Sequence, residues 1–314
     1  MTQHYRTQLL LLLMAGLALG ATFTEPTLEL ERPTYRYVFV FDITGSMNVQ
    51  DVGTTTQPMS RLEYAKQMTL QTLKRMPCGT EAGLALFTGH RAFLMITPVE
   101  ICANYRELSV VLSNIDWRMT WEARSEVAKG LFKSLELLTS VAGAPRLVFV
   151  TDGHEAPPLN PDVPPQFRGE VGAVNGVIVG VGGAKLVPIP KFDKTGAPAG
   201  FWQADEVMHI DTFNAERIER DGGAPITSGT EHLSSLRETY LENLAADTAL
   251  GYHHLVGTGA FEEELKSAEL ALPKVVTTDI RAWFGLLALG AFVASLLVGS
   301  RDKLRLANRS PDRR

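Results

Sequence analysis

Two short apolar runs, each followed by an aspartate, stand out in the hydrophobic pattern. Residues 37–41 lead directly to Asp42, and residues 147–150 lead through Thr151 to Asp152. Both runs are uncharged and rich in valine and phenylalanine, which is typical of strands that are buried on both faces of a parallel sheet. Residues 174–181 form a third run of this kind. The pattern therefore predicts a sheet whose strand ends carry carboxylates.

The segments between these runs have the three- and four-residue apolar spacing of amphipathic helices. This spacing predicts helices over residues 61–76, 105–115, 122–138 and 231–246, and an antiparallel hairpin over residues 82–97. Because helices and strands alternate, we expect an α/β protein with a doubly wound, mostly parallel sheet and one antiparallel edge strand. Two proline-rich inserts, residues 155–172 and 182–202, interrupt this alternation. They either border the same sheet edge as the aspartates or are solvated loops.

The two ends of the chain are more apolar than its middle. Residues 283–299 are uncharged and lie between Arg281 and Arg301, which predicts a transmembrane helix over residues 281–300; the alternative is a buried core helix. Residues 1–21 have an apolar run after Arg6 and are predicted to be a secretory signal or an uncleaved signal anchor. The basic residues 301–314 are expected to stay in the cytoplasm.

These segments predict the domain organisation and the location. Residues 34–250 form the expected folded domain, and residues 251–280 connect it to the membrane helix. One membrane span, or two if the signal is retained, places residues 22–280 outside the cytoplasm. In a bacterium the protein would then be held in the inner membrane with its domain in the periplasm.

Composition adds little about partners but supports that location. The chain has 314 residues and a net charge of −5, without the basic surface that nucleic-acid binding requires. Its two cysteines, Cys78 and Cys102, lie symmetrically about the predicted hairpin turn and so face each other across the two strands. A disulfide between them is geometrically reasonable and suits an oxidising compartment. Two unrelated buried thiols are the alternative.

The residues after the first strand point to metal chemistry. Asp42, Thr44 and Ser46 alternate along the chain, so their oxygens can converge on one point. Ligands of open α/β sheets bind at the carboxyl ends of the strands, where Asp152 would also lie. Such hard oxygen donors suit Mg²⁺ most, with Mn²⁺ or Ca²⁺ as alternatives.

The order of these residues, with Thr120 between them, resembles the metal-ion-dependent adhesion site of von Willebrand factor A (vWA) domains. The resemblance covers residues 35–250, although Thr44 stands where the family usually has serine. Asp51, Pro58 and Arg61 add a similarity to the membrane-anchored bacterial branch, and within it to the MxaL-type proteins of methanol-oxidation gene clusters. It implies that Asp42, Thr44, Ser46, Thr120 and Asp152 hold a divalent cation.

In this family the cation binds a glutamate or aspartate of a protein partner. The MxaL-type resemblance implies a role in assembly of, or metal insertion into, a periplasmic methanol dehydrogenase. The partners it implies are this dehydrogenase or other vWA proteins of the same gene cluster. The alternative is a Bat-like envelope stress-tolerance component that works with a MoxR-type ATPase. Four residues near the metal loops are expected to form a rim that binds the partner: Trp117, Trp121, His154 and Glu155. The alternative is that they pack in the core or lie at ordinary loop positions.

Catalysis is not expected. Asp42-Ile-Thr-Gly-Ser differs from the aspartic-protease motif by the inserted Ile43, and the chain has no second copy to supply a paired carboxylate. A phosphatase of the haloacid type would need an acid at position 44, where threonine cannot titrate. No phosphate-binding glycine loop is present. A metal-dependent hydrolase remains the enzymatic alternative.

Overall fold

A computed structural model describes residues 2–54, 56–224, 226, 228–267 and 269–307. The chain folds into two compact units. The larger unit is Pro33–Leu272, and the smaller one combines the chain up to Arg32 with the chain from Pro273 onward.

The described residues form eight helices and fourteen strands. The helices are α1 (Thr2–Ala21), α2 (Arg61–Leu73), α3 (Ile101–Asn114), α4 (Val127–Thr139), α5 (Thr212–Arg220), α6 (Glu238–Thr248), α7 (Thr258–Leu265) and α8 (Arg281–Ala307). The strands are β1 (Thr27–Thr34), β2 (Arg36–Asp42), β3 (Val52–Thr54), β4 (Gln57–Met59), β5 (Glu81–Thr88), β6 (Arg91–Glu100), β7 (Arg146–Thr151), β8 (Gly176–Gly180), β9 (Val187–Pro188), β10 (Pro190–Phe192), β11 (Pro198–Phe201), β12 (Leu233–Ser234), β13 (Gly251–His254) and β14 (Leu272–Asp279).

A six-stranded mixed sheet is the centre of the larger unit. Its strand order is β13-β8-β7-β2-β5-β6. Neighbouring strands are parallel except for β5 and β6, which form the predicted antiparallel hairpin at one edge. The chain runs outward from β2 in both directions, so β2 and β7 flank a topological switch point.

Helices cover both faces of the sheet, which explains the continuous apolar runs. Along β2, Tyr37, Phe39 and Phe41 pack on one side with apolar residues of α2, α3 and α7. Val38 and Val40 point to the other side and pack with α4 and α6. Because both faces are buried, neither set of side chains can be polar.

The hairpin edge carries the cysteine pair. Cys78 precedes β5 and Cys102 follows β6, and their Cα atoms are 5.4 Å apart across a disulfide. The pairing of Glu81 with Glu100 brings the two flanking segments together. Glu100 also accepts a hydrogen bond from the amide of Ala103 at 2.6 Å and thereby caps the start of α3.

The larger unit extends further along the chain than the expected residues 34–250. β13 pairs in parallel with β8 and completes the sheet, and Phe261 and Leu265 of α7 are buried in the core. Residues 251–272 are therefore part of the folded unit and not a connector. A four-residue edge strand without an apolar run gives no signal in the hydrophobic pattern.

Two helix predictions also need correction. Residues 231–246 are not one helix, because Leu233–Ser234 forms β12, which pairs with β9, and α6 begins at Glu238. The apolar spacing of Leu233 and Leu236 imitates a helix across this strand. The helix expected over residues 122–138 begins only at Val127, since Ser125 forms bridges to Gly89 and Ala156.

The smaller unit contains β1 and β14, which form a two-stranded sheet, and helices α1 and α8, which pack against each other. Tyr5–Thr24 and Arg281–Gly299 are both long and apolar enough to cross a membrane. The described chain therefore has two candidate spans. The predicted basic tail lies partly outside the described residues, which end at 307.

Candidate functional site

Asp42 ends β2 at the switch point, and its carboxylate is fully buried. Its Oδ1 accepts a hydrogen bond from the Thr44 amide at 2.9 Å, and its Oδ2 accepts one from the Thr151 hydroxyl at 2.7 Å. Thr151 ends the neighbouring strand β7. The two central strands thus hold this carboxylate from both sides, and the Thr44 contact turns the chain into the following loop.

Three of the other predicted ligands lie beside it. The Ser46 hydroxyl is 3.5 Å from the Thr44 hydroxyl and donates to Asp152 Oδ1 at 3.1 Å. Thr44 and Ser46 are each only 3% exposed, and Asp152 is fully buried. The structure therefore brings together residues that are more than a hundred positions apart in the sequence.

Thr120 is the fifth predicted ligand, and its hydroxyl makes different contacts. Among the described residues it lies 2.6 Å from the Thr88 hydroxyl and 2.7 Å from the Glu122 carbonyl oxygen. Thr120 lines the same cavity as Thr44 and Ser46. Thr88 ends β5, the neighbour of β2 on the side opposite β7, and the sequence analysis did not single it out.

A buried arginine binds the Asp152 carboxylate at Oδ2, the oxygen that Ser46 does not contact. Arg61 starts α2 and is fully buried; its Nη1 donates to Asp152 Oδ2 at 2.5 Å and to the Ser234 hydroxyl at 2.7 Å. Its Nε and Nη2 bind the two oxygens of Asp51 at 2.9 and 2.7 Å. This bidentate pair fixes the guanidinium plane. Sequence reasoning noted Arg61 and Asp51 only as family features.

These contacts give the two aspartates different ionisation behaviour. Burial and, to a smaller extent, the nearby Asp152 carboxylate together raise the pKa of Asp42 to about 7. Burial also disfavours the charge on Asp152, but the Arg61 guanidinium outweighs it and keeps the pKa of Asp152 below its usual value. The carboxylates of Asp51 and Asp152 bind the one guanidinium, and Asp42 adds a third carboxylate near Asp152. With all of them ionised, the cluster has an excess of two negative charges.

The donor set fits a hard divalent cation. It consists of carboxylate and hydroxyl oxygens, which are the ligands that Mg²⁺ and Ca²⁺ take, and it lacks the thiolates and imidazoles typical of zinc sites. A divalent cation would also offset the excess negative charge of the cluster. When bound, such an ion supplies a Lewis-acidic position for an outside oxygen ligand.

A cavity of about 440 Å³ opens next to these residues. Its lining includes the hydroxyl-bearing residues Thr44, Ser46, Thr120 and Ser125. The second proline-rich insert contributes apolar side chains, including Phe192 and Trp202, and the first contributes Ala156 and Pro157. Both proline-rich inserts therefore border the strand-end face, which is one of the two arrangements that the sequence predicted. Residues 193–196 join β10 and β11 into a hairpin.

The four predicted rim residues separate into two groups. Trp117 lines the cavity and stacks on Phe192, with ring centroids 4.6 Å apart, and His154 also lines it. Trp121 is 49% exposed and lies at a separate surface depression with Phe93. Glu155 points away from the cavity, where it accepts hydrogen bonds from the Ala128 amide and the Tyr240 hydroxyl.

Comparisons with known proteins gave matches among solved structures alone. No family model matches the chain, and no curated protein matches it. An aerotolerance-related membrane protein of Bacteroides fragilis is 19% identical and has a TM-score of 0.48; the match covers 72% of this chain and 94% of that one. BatB of Bacteroides thetaiotaomicron is 18% identical with the same TM-score, over 73% and 94% of the two chains.

A third solved structure, the ArnB paralog VWA2 of Sulfolobus acidocaldarius, is 12% identical. Its TM-score is 0.37, and the match covers 77% of this chain and 47% of that one. Likenesses at this level carry no argument about function. The case for a function therefore rests on the geometry of the site and on the sequence resemblance.

Proposed function

We propose that this protein is a non-catalytic, membrane-tethered binding module of the vWA type. In this proposal a divalent cation, preferably Mg²⁺, is held by Asp42, Thr44, Ser46, Thr120 and Asp152, with water completing its coordination. The cation then binds an acidic side chain of a protein partner. Several of these ligands are neutral hydroxyls, so the ion would keep enough positive charge to attract an outside carboxylate.

One observation carries the proposal: Asp42 and Asp152, joined through Thr44 and Ser46, meet at the switch point of the sheet and beside an open cavity. This is the position where open α/β sheets bind ligands. Arg61 supports the assignment, because it orients Asp152 through one oxygen and leaves the other toward Ser46. Residues that support a ligand from behind are typical of metal sites.

The membrane part of the proposal rests on α1 and α8, whose apolar segments are long enough to span. The disulfide between Cys78 and Cys102 suits an oxidising compartment such as the periplasm. We propose that the larger unit lies there and that the tail after α8 lies in the cytoplasm. Reporter fusions before α1 and after α8 would test this orientation.

The test of the binding function is affinity purification of the full chain from gently solubilised membranes, with the wild type compared to Asp42→Ala. Each sample is prepared with Mg²⁺ or with EDTA, and the retained proteins are identified by mass spectrometry. We expect a partner that only the wild type with Mg²⁺ retains. Equal recovery in all four samples would show that binding does not use the cation.

Two partner classes follow from the sequence resemblance alone: a periplasmic methanol dehydrogenase under assembly, or Bat-type proteins of the envelope with a MoxR-type ATPase. A deletion strain separates them. Loss of growth on methanol that excess Ca²⁺ restores would indicate maturation of the dehydrogenase. A broad defect under envelope stress, with normal methanol growth, would indicate the second class.

A further inference from the structure

The lining of the cavity beside the strand-end site contains two chemically different groups of residues, which we call its two walls. Polar and charged residues also line it: Asn48, Glu122, Arg124, Glu206 and Glu231. One wall presents the hydroxyls of Thr44, Ser46 and Thr120. The other is apolar and comes mainly from Ile189 and Phe192 of the second insert, with Trp202 immediately after β11. A site that only captured a carboxylate on a cation would not need the second wall.

The apolar wall is held in place by several contacts. Phe192 stacks on Trp117, and the Trp202 amide donates to the Ile189 carbonyl oxygen at 3.0 Å. The Lys191 ammonium lies 4.7 Å from the centre of the Trp202 ring. Rings fixed in this way offer a preformed surface for an apolar side chain, because little side-chain entropy is lost on binding.

Two buried polar atoms of the cavity lining lack partners. Ser125 is 2% exposed and His154 is 3% exposed, and both line the cavity. Within the part of the chain that the structure describes, Ser125 Oγ and His154 Nδ1 make no hydrogen bond. Buried polar atoms are nearly always paired, so an unpaired one needs an explanation. A ligand that brings its own hydrogen-bonding groups into the cavity provides it.

We propose that the cavity binds a short peptide segment in which an acidic residue is next to a large apolar residue. The acidic side chain reaches the cation, the apolar side chain packs between Trp117, Phe192 and Trp202, and backbone amide groups pair with Ser125 and His154. This inference rests on the function proposed above and adds the sequence preference of the partner.

The size and the access of the cavity fit such a segment. A volume of about 440 Å³ lies in the lower half of the range of small-ligand pockets, so it accommodates a few side chains only. Met208 lines the cavity and is 43% exposed, so the cavity opens to solvent and a longer chain can continue outward. A peptide bond supplies both a donor and an acceptor for the two unpaired atoms.

The test uses the full chain in lipid nanodiscs and fluorescein-labelled hexapeptides. In these peptides a single Asp is followed by Gly, Leu, Phe or Trp, and binding is measured by fluorescence anisotropy with Mg²⁺ or EDTA. We expect the Leu, Phe and Trp peptides to bind at least about 10-fold more tightly than the Gly peptide, as burial of a large apolar side chain predicts. EDTA and Asp42→Ala should abolish binding of all four.

Variants separate the two walls. Phe192→Ala combined with Trp202→Ala should reduce the preference to less than about 3-fold, while binding still requires Mg²⁺. Phe213→Ala is the matched control, because Phe213 is 62% exposed and does not line the cavity. It should leave the preference unchanged. The Mg²⁺-dependent rise in melting temperature should persist in both variants, which shows that the cation site is intact.

The outcomes distinguish this inference from the function on which it rests. Mg²⁺-dependent binding of all four peptides with equal affinity would overturn the apolar preference and leave the cation-dependent function standing. Tight binding that EDTA and Asp42→Ala do not affect would overturn both. Competition by 3-phenylpropionate as strong as that of the unlabelled Phe peptide would show that the site takes a free carboxylate and would overturn the peptide assignment.

Discussion

Asp42 ends β2 and Asp152 follows the neighbouring parallel strand β7; both are fully buried, yet their surroundings differ. Asp152 contacts the guanidinium of Arg61, whereas Asp42 accepts hydrogen bonds from uncharged groups of Thr44 and Thr151. The pKa of Asp152 is accordingly lowered, and that of Asp42 is raised to about 7 by burial and by its charged neighbour. One aspartate has an internal cation, and the other lacks one.

This difference indicates a division of roles. The Asp152 side is a support that is part of the folded core and has an internal cation, the Arg61 guanidinium, which it shares with Asp51. The Asp42 side has an uncompensated charge, which an external cation would stabilise most. Three of the four predictions below change one side at a time, and one uses Glu155 as a buried carboxylate that belongs to neither side; we expect their effects to decrease in the order given.

Replacing Arg61 by Met should have the largest effect, because it leaves the Asp51 and Asp152 carboxylates without their cation. Removing one partner of a buried ion pair typically lowers stability by about 3–5 kcal/mol. We expect a fall of roughly 10 °C in the melting temperature of the full chain in EDTA, measured by circular dichroism.

Arg75→Met is the matched control, since the Arg75 side chain is 54% exposed and pairs with Glu262 at 3.4 Å. Exposed pairs contribute only about 0–1 kcal/mol. If Arg61→Met proves too unstable to purify, Asp51→Asn keeps the Asp152 contact and should show an intermediate loss. Equal melting temperatures for the Arg61 and Arg75 variants would contradict the supporting role of Arg61.

Glu155 is a buried carboxylate outside the contacts of Arg61 and outside the proposed metal site. It therefore tests the effect of burial on a carboxylate without such a cation. Burial raises its pKa from 4.5 to about 7, although the Tyr240 hydroxyl partly opposes this. Between these values the unfolded chain is ionised while the folded chain keeps its proton, so stability should fall as pH rises from 4.5 to 7. The loss is up to about 3 kcal/mol.

Glu155→Gln should remove that loss, and its stability should exceed the wild-type value most clearly above pH 7. Urea unfolding at pH 5, 6, 7 and 8 measures the difference. Glu136→Gln on α4 is the control, because Glu136 is 67% exposed. A parallel pH profile for wild type and Glu155→Gln would contradict the assignment of this effect to Glu155.

Cation binding should stabilise the fold through the Asp42 side. With free Mg²⁺ at about 100 times the dissociation constant, the expected gain is about 2.7 kcal/mol. Asp42→Asn keeps the size of the side chain but weakens ligation, so its melting temperature should be the same in Mg²⁺ and EDTA. A Mg²⁺-dependent rise in this variant that equals the wild-type rise would place the ion elsewhere.

The smallest effect on stability should come from Thr120→Val, which removes the hydroxyl that lies near Thr88 and Glu122. In EDTA the loss of this hydrogen bonding should be about 1 kcal/mol. If Thr120 turns to the cation when it is bound, the variant should also need more Mg²⁺ for half of the stabilisation. Titration of the melting temperature with Mg²⁺ measures this, and an unchanged midpoint would argue against ligation by Thr120.

Local sequence patterns were sufficient for the central strands and for the Asp42 loop. The apolar runs before Asp42 and Asp152 are visible because both faces of β2 and β7 are covered by helices. The alternation of Asp42, Thr44 and Ser46 is equally local. Spatial convergence with Asp152 then followed from the rule that parallel strands end at the same edge.

The rest depended on contacts between distant segments. Arg61 is 91 positions from Asp152 and 173 from Ser234, so no spacing in the chain reveals their cluster. β12 and β13 are short and take their conformation from pairing with β9 and β8, not from their own apolar pattern. Whether a side-chain atom has a hydrogen-bond partner also depends on distant segments. The unpaired atoms of Ser125 and His154 can therefore be recognised only in the folded structure.

The pairing of β1 with β14 and of α1 with α8 has a consequence for biosynthesis. Ala21 ends α1 and Arg281 begins α8, so the ribosome adds about 260 residues between the two helices. At about 5–20 residues per second this takes roughly 13 to 50 seconds. For that interval the apolar surface of α1 has no partner from its own chain, and a lipid bilayer or a chaperone must shield it until α8 emerges.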